Sequence, residues 1–157
     1  EKLDTTYKEV NKNFNEFFKR LFMGGRAELQ LMGDEILDTG LQVSAQPPGK
    51  KNTTINLLSG GEKALTAISL IFALFKLNPS PFCVMDEVDA PLDDTNTGNF
   101  CSLVKEMAEK TQFLIVTHNR ITMEIAEQLV GVTQQELGVS RIVEVDMRDI
   151  DDMELAY

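Results

Sequence analysis

Three stretches of the chain carry residues suited to chemistry. Leu57-Leu58-Ser59-Gly60-Gly61-Glu62-Lys63 opens an apolar run from Ala64 to Leu77, Asp86, Glu87 and Asp89 follow a second apolar run, and His118, the single histidine, follows a third. Ser59 with Glu62 three residues on has the form of a capping box, the hydroxyl accepting from the Glu62 amide while the carboxylate accepts from the Ser59 amide. A capping box accounts for a helix start but not for two glycines, each of which costs up to ~1 kcal/mol relative to alanine inside a helix. Glycine leaves the backbone bare, and a bare helix N-terminus with free amides suits an anion, phosphate above all.

The acidic stretch raises a different question. Three carboxylates within four residues repel one another unless a cation or a hydrogen-bond network offsets them; the plain alternative is a solvated acidic turn. Consecutive strand residues point to opposite faces, so Asp86 and Glu87 are expected to have different tasks, one toward a Mg²⁺ ion and the other toward a nucleophilic water. A lone histidine is commonly a hydrogen-bonded loop residue. Ligands of open parallel sheets nevertheless collect at the carboxyl ends of strands, which is where Asp86, Glu87 and His118 fall.

The elements that must hold these residues follow from periodicity. Leu3, Tyr7, Val10, Phe14, Phe17 and Leu21 are spaced 4, 3, 4, 3, 4, a heptad seam that fits either a coiled coil or an amphipathic core helix over residues 1–22. Phe18 and Phe22 widen the stripe toward its end, and Gly24-Gly25 stops it. Ala27–Met32 and Gly40–Gln46 alternate as two half-buried antiparallel strands, with turn residues at Gly33-Asp34 and over Pro47–Asn52. Glu62 to Leu77 is apolar nearly all round and predicts a deeply buried helix. Phe82–Met85 and Gln112–Val116 read as parallel strands covered on both faces, Thr95–Lys110 and Ile121–Leu129 as helices, and Ser140–Asp146 as a late strand. Asp149–Tyr157 reads as a loosely held acidic tail. The alternation from 62 to 116 is that of crossover α/β units.

Composition narrows the classes. At 157 residues with 43% hydrophobic content the chain is one domain's worth of globular α/β protein. Beginning at Glu1, it reads as a piece of something longer. The net charge of −10 does not suit a nucleic-acid backbone without a local basic patch. Cys83 and Cys101 have neither metal spacing nor disulfide density, and Cys83 reads as a small core residue. With no signal peptide and no long apolar span, a cytoplasmic protein without a membrane segment is expected. Gly49-Lys50-Lys51 imitates the end of a P-loop but lacks its glycine five residues earlier and its Ser or Thr after the lysine; Ser44 and Lys51 stand there instead. It reads as a solvated basic turn rather than a DNA contact.

Taken in order, Leu58-Ser-Gly-Gly-Glu-Lys63, the apolar run ending in Asp86-Glu87, Val88-Asp89-Ala90-Pro91-Leu92-Asp93 and Thr117-His118-Asn119 resemble the signature, Walker B, D-loop and switch-histidine motifs of ATP-binding-cassette proteins. The wording of "LSGGEKALTA", "DEVDAPLDDTN" and "THNRITMEIAEQLVGVT" is closer still to the structural maintenance of chromosomes (SMC) family, most like its bacterial branch, over most of residues 41–146. The resemblance implies an α/β fold: the C-terminal lobe of an ABC-type ATPase head, a mixed sheet with flanking helices over 23–157, preceded by the end of a coiled-coil arm over 1–22. It implies ATP and Mg²⁺ as cofactors. Leu58, Ser59, Gly60, Gly61 and Glu62 would present the helix start to ATP held on a second head, and Asp93 would lie at the interface between heads. Asp86 would support the metal, Glu87 would position or activate water, and His118 would sense the γ-phosphate. Pro91 departs from the alanine of many family members and is expected to stiffen the D-loop without removing its acidic residue.

No Walker A sequence is present. In phosphoryl transfer its lysine and amides cradle the phosphates, so the chain alone is expected to bind ATP weakly and hydrolyse almost none. In SMC-like proteins the missing half comes from the distant N-terminus of the same polypeptide. Implied partners are that half, a second head, a kleisin subunit, and DNA through the full complex. Another coiled-coil cassette ATPase, of double-strand-break repair, is the next reading, and a transporter nucleotide-binding domain a weaker one. A reading of another class is a kleisin-docking platform.

Overall fold

The computed structural model describes residues 2–33, 40–136 and 138–147. The elements run α1 (Lys2–Phe22), β1 (Arg26–Leu31), β2 (Leu41–Gln46), β3 (Thr53–Thr54), a 3-10 turn (Ile55–Leu57), α2 (Gly60–Leu77), β4 (Phe82–Asp86), α3 (Asp94–Ala108), β5 (Gln112–Val116), α4 (Arg120–Met123), β6 (Gln128–Glu136) and β7 (Val139–Asp146). Parallel and antiparallel pairing are both present but segregated into small sheets. β1-β2-β3 is antiparallel, β4-β5 parallel and β6-β7 antiparallel.

The heptad seam of α1 packs inside this chain from its third position onward. Val10, Phe14, Phe17 and Leu21 are buried, as is Phe18, while Leu3 at the start of the seam is exposed. Phe72 of α2 is the centre of the core: Phe17 meets it edge-on at 6.1 Å, and Phe113 of β5 does so at 6.2 Å. The asparagines between the apolar positions of α1 serve the sheet. Asn11 accepts from the Leu29 amide at 2.8 Å and donates to the Leu29 carbonyl at 3.1 Å, and Asn15 accepts from the Ala27 amide at 3.2 Å. They satisfy backbone groups on the outer side of edge strand β1, which would otherwise stand unpaired.

The turn between α1 and β1 depends on Gly25. Its φ is +74°, and a β-carbon there would lie 2.4 Å from the Gln46 carbonyl oxygen, so neither the conformation nor the space admits a side chain.

Several sequence expectations are revised. α2 buries Leu65, Thr66, Ile68, Ser69, Phe72 and Ala73, but Ile71 and Leu74 are exposed, so it is buried along one side only. The helix expected over Ile121–Leu129 lasts four residues. β6 takes over from Gln128, because its apolar residues pair with β7, Val132 opposite Ile142 and Leu129 opposite Val145. The largest revision concerns β4 and β5. Phe82, Val84, Leu114 and Val116 are 64%, 57%, 60% and 51% exposed, whereas Met85 is buried and Phe113 and Ile115 pack against the core. The parallel pair is covered on one face and bare on the other. The acidic tail over 149–157 lies outside the described residues.

Burial raises the Cys83 and Cys101 thiols above their usual range, which leaves neither poised as a nucleophile. Replacing Phe72 with alanine is expected to cost about 3–5 kcal/mol in denaturant unfolding. A loss below about 1 kcal/mol, the scale of an average substitution, would mean that the core does not pass through this ring.

Candidate functional site

The capping box forms as the sequence implies. Ser59 caps α2 with extended backbone (φ −65°, ψ 167°); its Oγ accepts from the Glu62 amide at 3.4 Å, and Glu62 Oε2 accepts from the Ser59 amide at 2.9 Å. Leu58 is buried beneath the turn, while Ser59 and Gly60 are exposed. Among the described residues no acceptor lies on the Gly60 and Gly61 amides, two of the donors a helix start leaves free, the Ser59 and Glu62 amides being taken up by the box.

The two glycines have different reasons. A β-carbon on Gly61 would lie 2.7 Å from the Pro91 carbonyl oxygen, closer than real β-carbons come, whereas one on Gly60 would meet nothing within 4 Å. Gly61 is therefore required by the chain's own packing of the 87–93 loop on the helix start. Gly60 is not, and its bare backbone faces open space.

A cleft lined by Ser59, Gly61, Glu62, Pro91, Asp93 and Asn96 joins this turn to the loop. Asp93 caps α3: Oδ1 accepts from the Asn96 amide at 2.8 Å and Oδ2 from the Asn96 side chain at 3.0 Å.

Asp86, Glu87 and His118 assemble a short distance along the chain. β4 ends at Asp86, opposite Val116 of β5, and Glu87 follows with φ +48°. Its amide still donates to the Val116 carbonyl at 2.9 Å, and its Oε1 lies 3.7 Å from His118 Nδ1. A left-handed glutamate is uncommon and costs about 1–2 kcal/mol. Strand alternation, used to separate Asp86 from Glu87, therefore does not extend to Glu87, which lies beyond the strand; the reversal at its backbone separates them instead. Asp86, Glu87 and His118 are all exposed. No group of three or more His, Cys, Asp or Glu among the described residues is placed to hold a metal. Asp86 can contribute one ligand and not a cage.

The third carboxylate is not part of that exposed group. Asp89 is 1% exposed, and its Oδ2 accepts from the Thr117 and Thr122 hydroxyls at 2.6 and 2.5 Å. A hydrogen-bond network, rather than a cation, accommodates it. Thr117 Oγ1 in turn accepts from the Asn119 amide at 2.9 Å, and Asn119 caps α4 by accepting from the Ile121 amide at 2.9 Å. Asp89 thus ties the loop after β4 to the segment holding His118, a role that its place in an acidic run conceals.

Lys50 stands on an exposed turn, as expected, but it also has a partner. Its Nζ lies 2.6 Å from Glu62 Oε1, so it is paired rather than merely solvated. That hydrogen bond, followed by the one from the Ser59 amide, holds the Glu62 carboxyl below its usual pKa. No local pattern could signal it, since the partners are twelve residues apart across a turn.

The family model described as RecF/RecN/SMC N terminal domain matches residues 5–141. The chain belongs to that family. It is 66% identical over 145 residues to the chromosome partition protein Smc of Burkholderia pseudomallei (strain 1710b), covering 92% of this chain and 12% of that relative. The fold matches an Smc head domain with an extended coiled coil from Pyrococcus furiosus, bound to the C-terminal domain of ScpA, with a TM-score of 0.90 and 36% identity over 96% of this chain and 38% of that one. It also matches a chain from a study of ATP-driven dimerization and DNA stimulated activation of SMC ATPases, with a TM-score of 0.80 and 36% identity, covering 96% of this chain and 94% of that one. No helix among the described residues is long and apolar enough to cross a membrane.

Two outcomes are expected. Gly61→Ala lowers the thermal midpoint, while Gly60→Ala leaves it unchanged or raises it by the equivalent of up to ~1 kcal/mol; equal effects would show that the Pro91 contact does not constrain the helix start. Glu62 has a folded pKa below its unfolded one, so its contribution is complete above the ordinary carboxylate value of about 4.3 and lost as pH falls through the lower folded value. Acid titration of stability should show this limb flattened in Glu62→Gln.

Proposed function

We propose that the chain is the C-terminal half of the ATPase head of a chromosome-partitioning SMC protein, supplying signature and Walker B residues to a site completed by other segments. The observation that carries this reading is the bare apolar face of β4-β5. A parallel pair belongs inside a larger sheet covered on both faces, and its exposed Phe82, Val84, Leu114 and Val116 call for a further layer of protein. The absence of a phosphate cradle from the sequence agrees with that, as does the span of only 12% of the Burkholderia relative. The family description names an N-terminal domain, but the order of motifs here is the one that follows the Walker A segment in such heads. In this reading α1 continues the returning arm, with 1–22 as its end and 23–157 as the lobe.

ATP with Mg²⁺ supplies the transferable γ-phosphoryl group. The residues fit half of such a site: a capped helix start with two free amides and an open Gly60, and a carboxylate pair at a strand end. Ser59, Gly60 and Gly61 would bind phosphate held on a second head, oriented by the Leu58 anchor and the Glu62 cap. Asp86 would lend a carboxylate to the metal. Glu87 would hold the attacking water and take up its proton, with His118 beside it near the γ-phosphate. Asp93, on the cleft next to Ser59, would lie at the contact between heads. Engagement of two heads on ATP and their release after hydrolysis would open and close a ring around DNA, on the nucleoid in the cytoplasm.

A second reading, as a platform for a kleisin-class subunit, is favoured by the β6-β7 hairpin. Val130, Val132, Ile142 and Val143 are all exposed, and a two-stranded hairpin is marginal without a partner. The Pyrococcus furiosus head bound to a ScpA domain supports that partner class, and one chain can serve both roles.

The deciding experiment measures ATP hydrolysis by this chain alone, then mixed with a separately expressed Walker A-bearing half, with Glu87→Gln as control. Turnover is expected only in the mixture and is expected to fall at least about a hundredfold in Glu87→Gln, the order seen when a catalytic proton acceptor is removed. Turnover by the chain alone would refute the half-site; none in either would leave the docking role.

A further inference from the structure

The basic turn at Gly49-Lys50-Lys51 imitates a phosphate loop without being one, and the proposed reaction leaves it without a task. Its geometry gives it one. Glu62 divides its two oxygens: Oε2 takes the Ser59 amide at 2.9 Å, and Oε1 takes Lys50 Nζ at 2.6 Å. The Glu62 side chain is only 17% exposed, against 56% for Lys50, so the contact is shielded on the carboxylate side. The turn that carries Lys50 is itself anchored. Gln46 Nε2 donates to the Lys50 carbonyl at 2.9 Å, and Arg26 Nε donates to Gln46 Oε1 at 2.9 Å. A continuous line of polar contacts runs from the start of β1 through the end of β2 to the helix start that holds Ser59.

We infer that Lys50 is a positioning residue for the signature turn, acting through Glu62 to hold Ser59 and the free amides of Gly60 and Gly61 in one orientation. The inference rests on the reading of that turn as the phosphate-facing half of an ATPase site. A Glu62 held at one oxygen only can swing about its terminal torsion, and the Ser59 amide then exchanges between carboxylate and water. Lys50 fixes the second oxygen and removes that freedom. Its charge also partly offsets Glu62, which would otherwise oppose a phosphate approaching the same helix start. Lys50 touches no reacting atom, so its effect is on orientation and not on the chemical step.

The test uses the complete head, with Lys50→Met, Lys50→Arg, Glu62→Gln and the Lys50→Met/Glu62→Gln double variant, measuring kcat, KM for ATP and thermal midpoint. Lys50→Met is expected to lower kcat/KM about threefold, the scale of a partly exposed ion pair, with only the small fall in thermal midpoint that loss of such a pair brings. Lys50→Arg should restore it, and the double variant should be no worse than Glu62→Gln alone. Unchanged kcat/KM in Lys50→Met, failure of the arginine rescue, or multiplying effects in the double variant would each overturn the inference. Exchange of the Ser59 amide, read by NMR in the same variants, reports the cap independently of turnover. It should quicken in Lys50→Met and not in Lys50→Arg, and an unchanged rate in Lys50→Met overturns the inference. A head without substitutions that hydrolyses no ATP would instead refute the ATPase reading, leaving the exchange rates to judge Lys50.

Discussion

The edge-on contacts of Phe72 with Phe17 on one side and Phe113 on the other tie together elements from three parts of the chain: α1, the helix that begins at Gly60, and the strand that leads to His118. Each ring meets its neighbour at 72° or more, the geometry in which the positive edge of one faces the negative face of the next. The position of α2 relative to β4 and β5 is set by this apolar line. The polar groups at the surface then need only orient themselves locally. Capping, loop closure and the Asp89 network act over a few ångströms because the larger distances are already fixed.

Two devices complete the local arrangement, and both work by what they exclude. The missing side chain at Gly61 lets the Pro91 carbonyl rest on the helix start, so the loop after β4 and the start of α2 are in steric register. The burial of Asp89 between two threonine hydroxyls leaves little room for the His118 segment to drift, because a carboxylate out of water must keep its donors. The loop from Glu87 to Asp93 is thereby held at both ends, by Asp89 near the strand and by the Asp93 cap at α3.

Much of this was legible in the sequence because its signals are local. The Ser59/Glu62 box, the glycines after α1, the alternation of β1 and β2, and the apolar runs of β4 and β5 each declare themselves within a few residues. What was not legible depends on partners distant in the chain. Lys50 gives no hint of Glu62, and Asp89 looks like its acidic neighbours until Thr117 and Thr122 close over it. The strand from Gln128 was hidden because Ile121–Leu129 has an apolar spacing that also fits a helix, and only pairing with β7 decides the matter. The bare face of β4-β5 was hidden for the opposite reason: an apolar run reports that a strand is to be covered, not which segment covers it.

The left-handed backbone at Glu87 sets stability and chemistry against each other. Glycine, and to a lesser degree asparagine, would sit at φ +48° with less strain than glutamate. Either would remove the carboxylate from its place beside His118. Under the proposed reading, random substitution screened only for a firmer fold would drift toward losing this residue, and only selection on turnover would hold it. On that reading, the position is one where an improved protein, by the measure of melting temperature, would be an idle one.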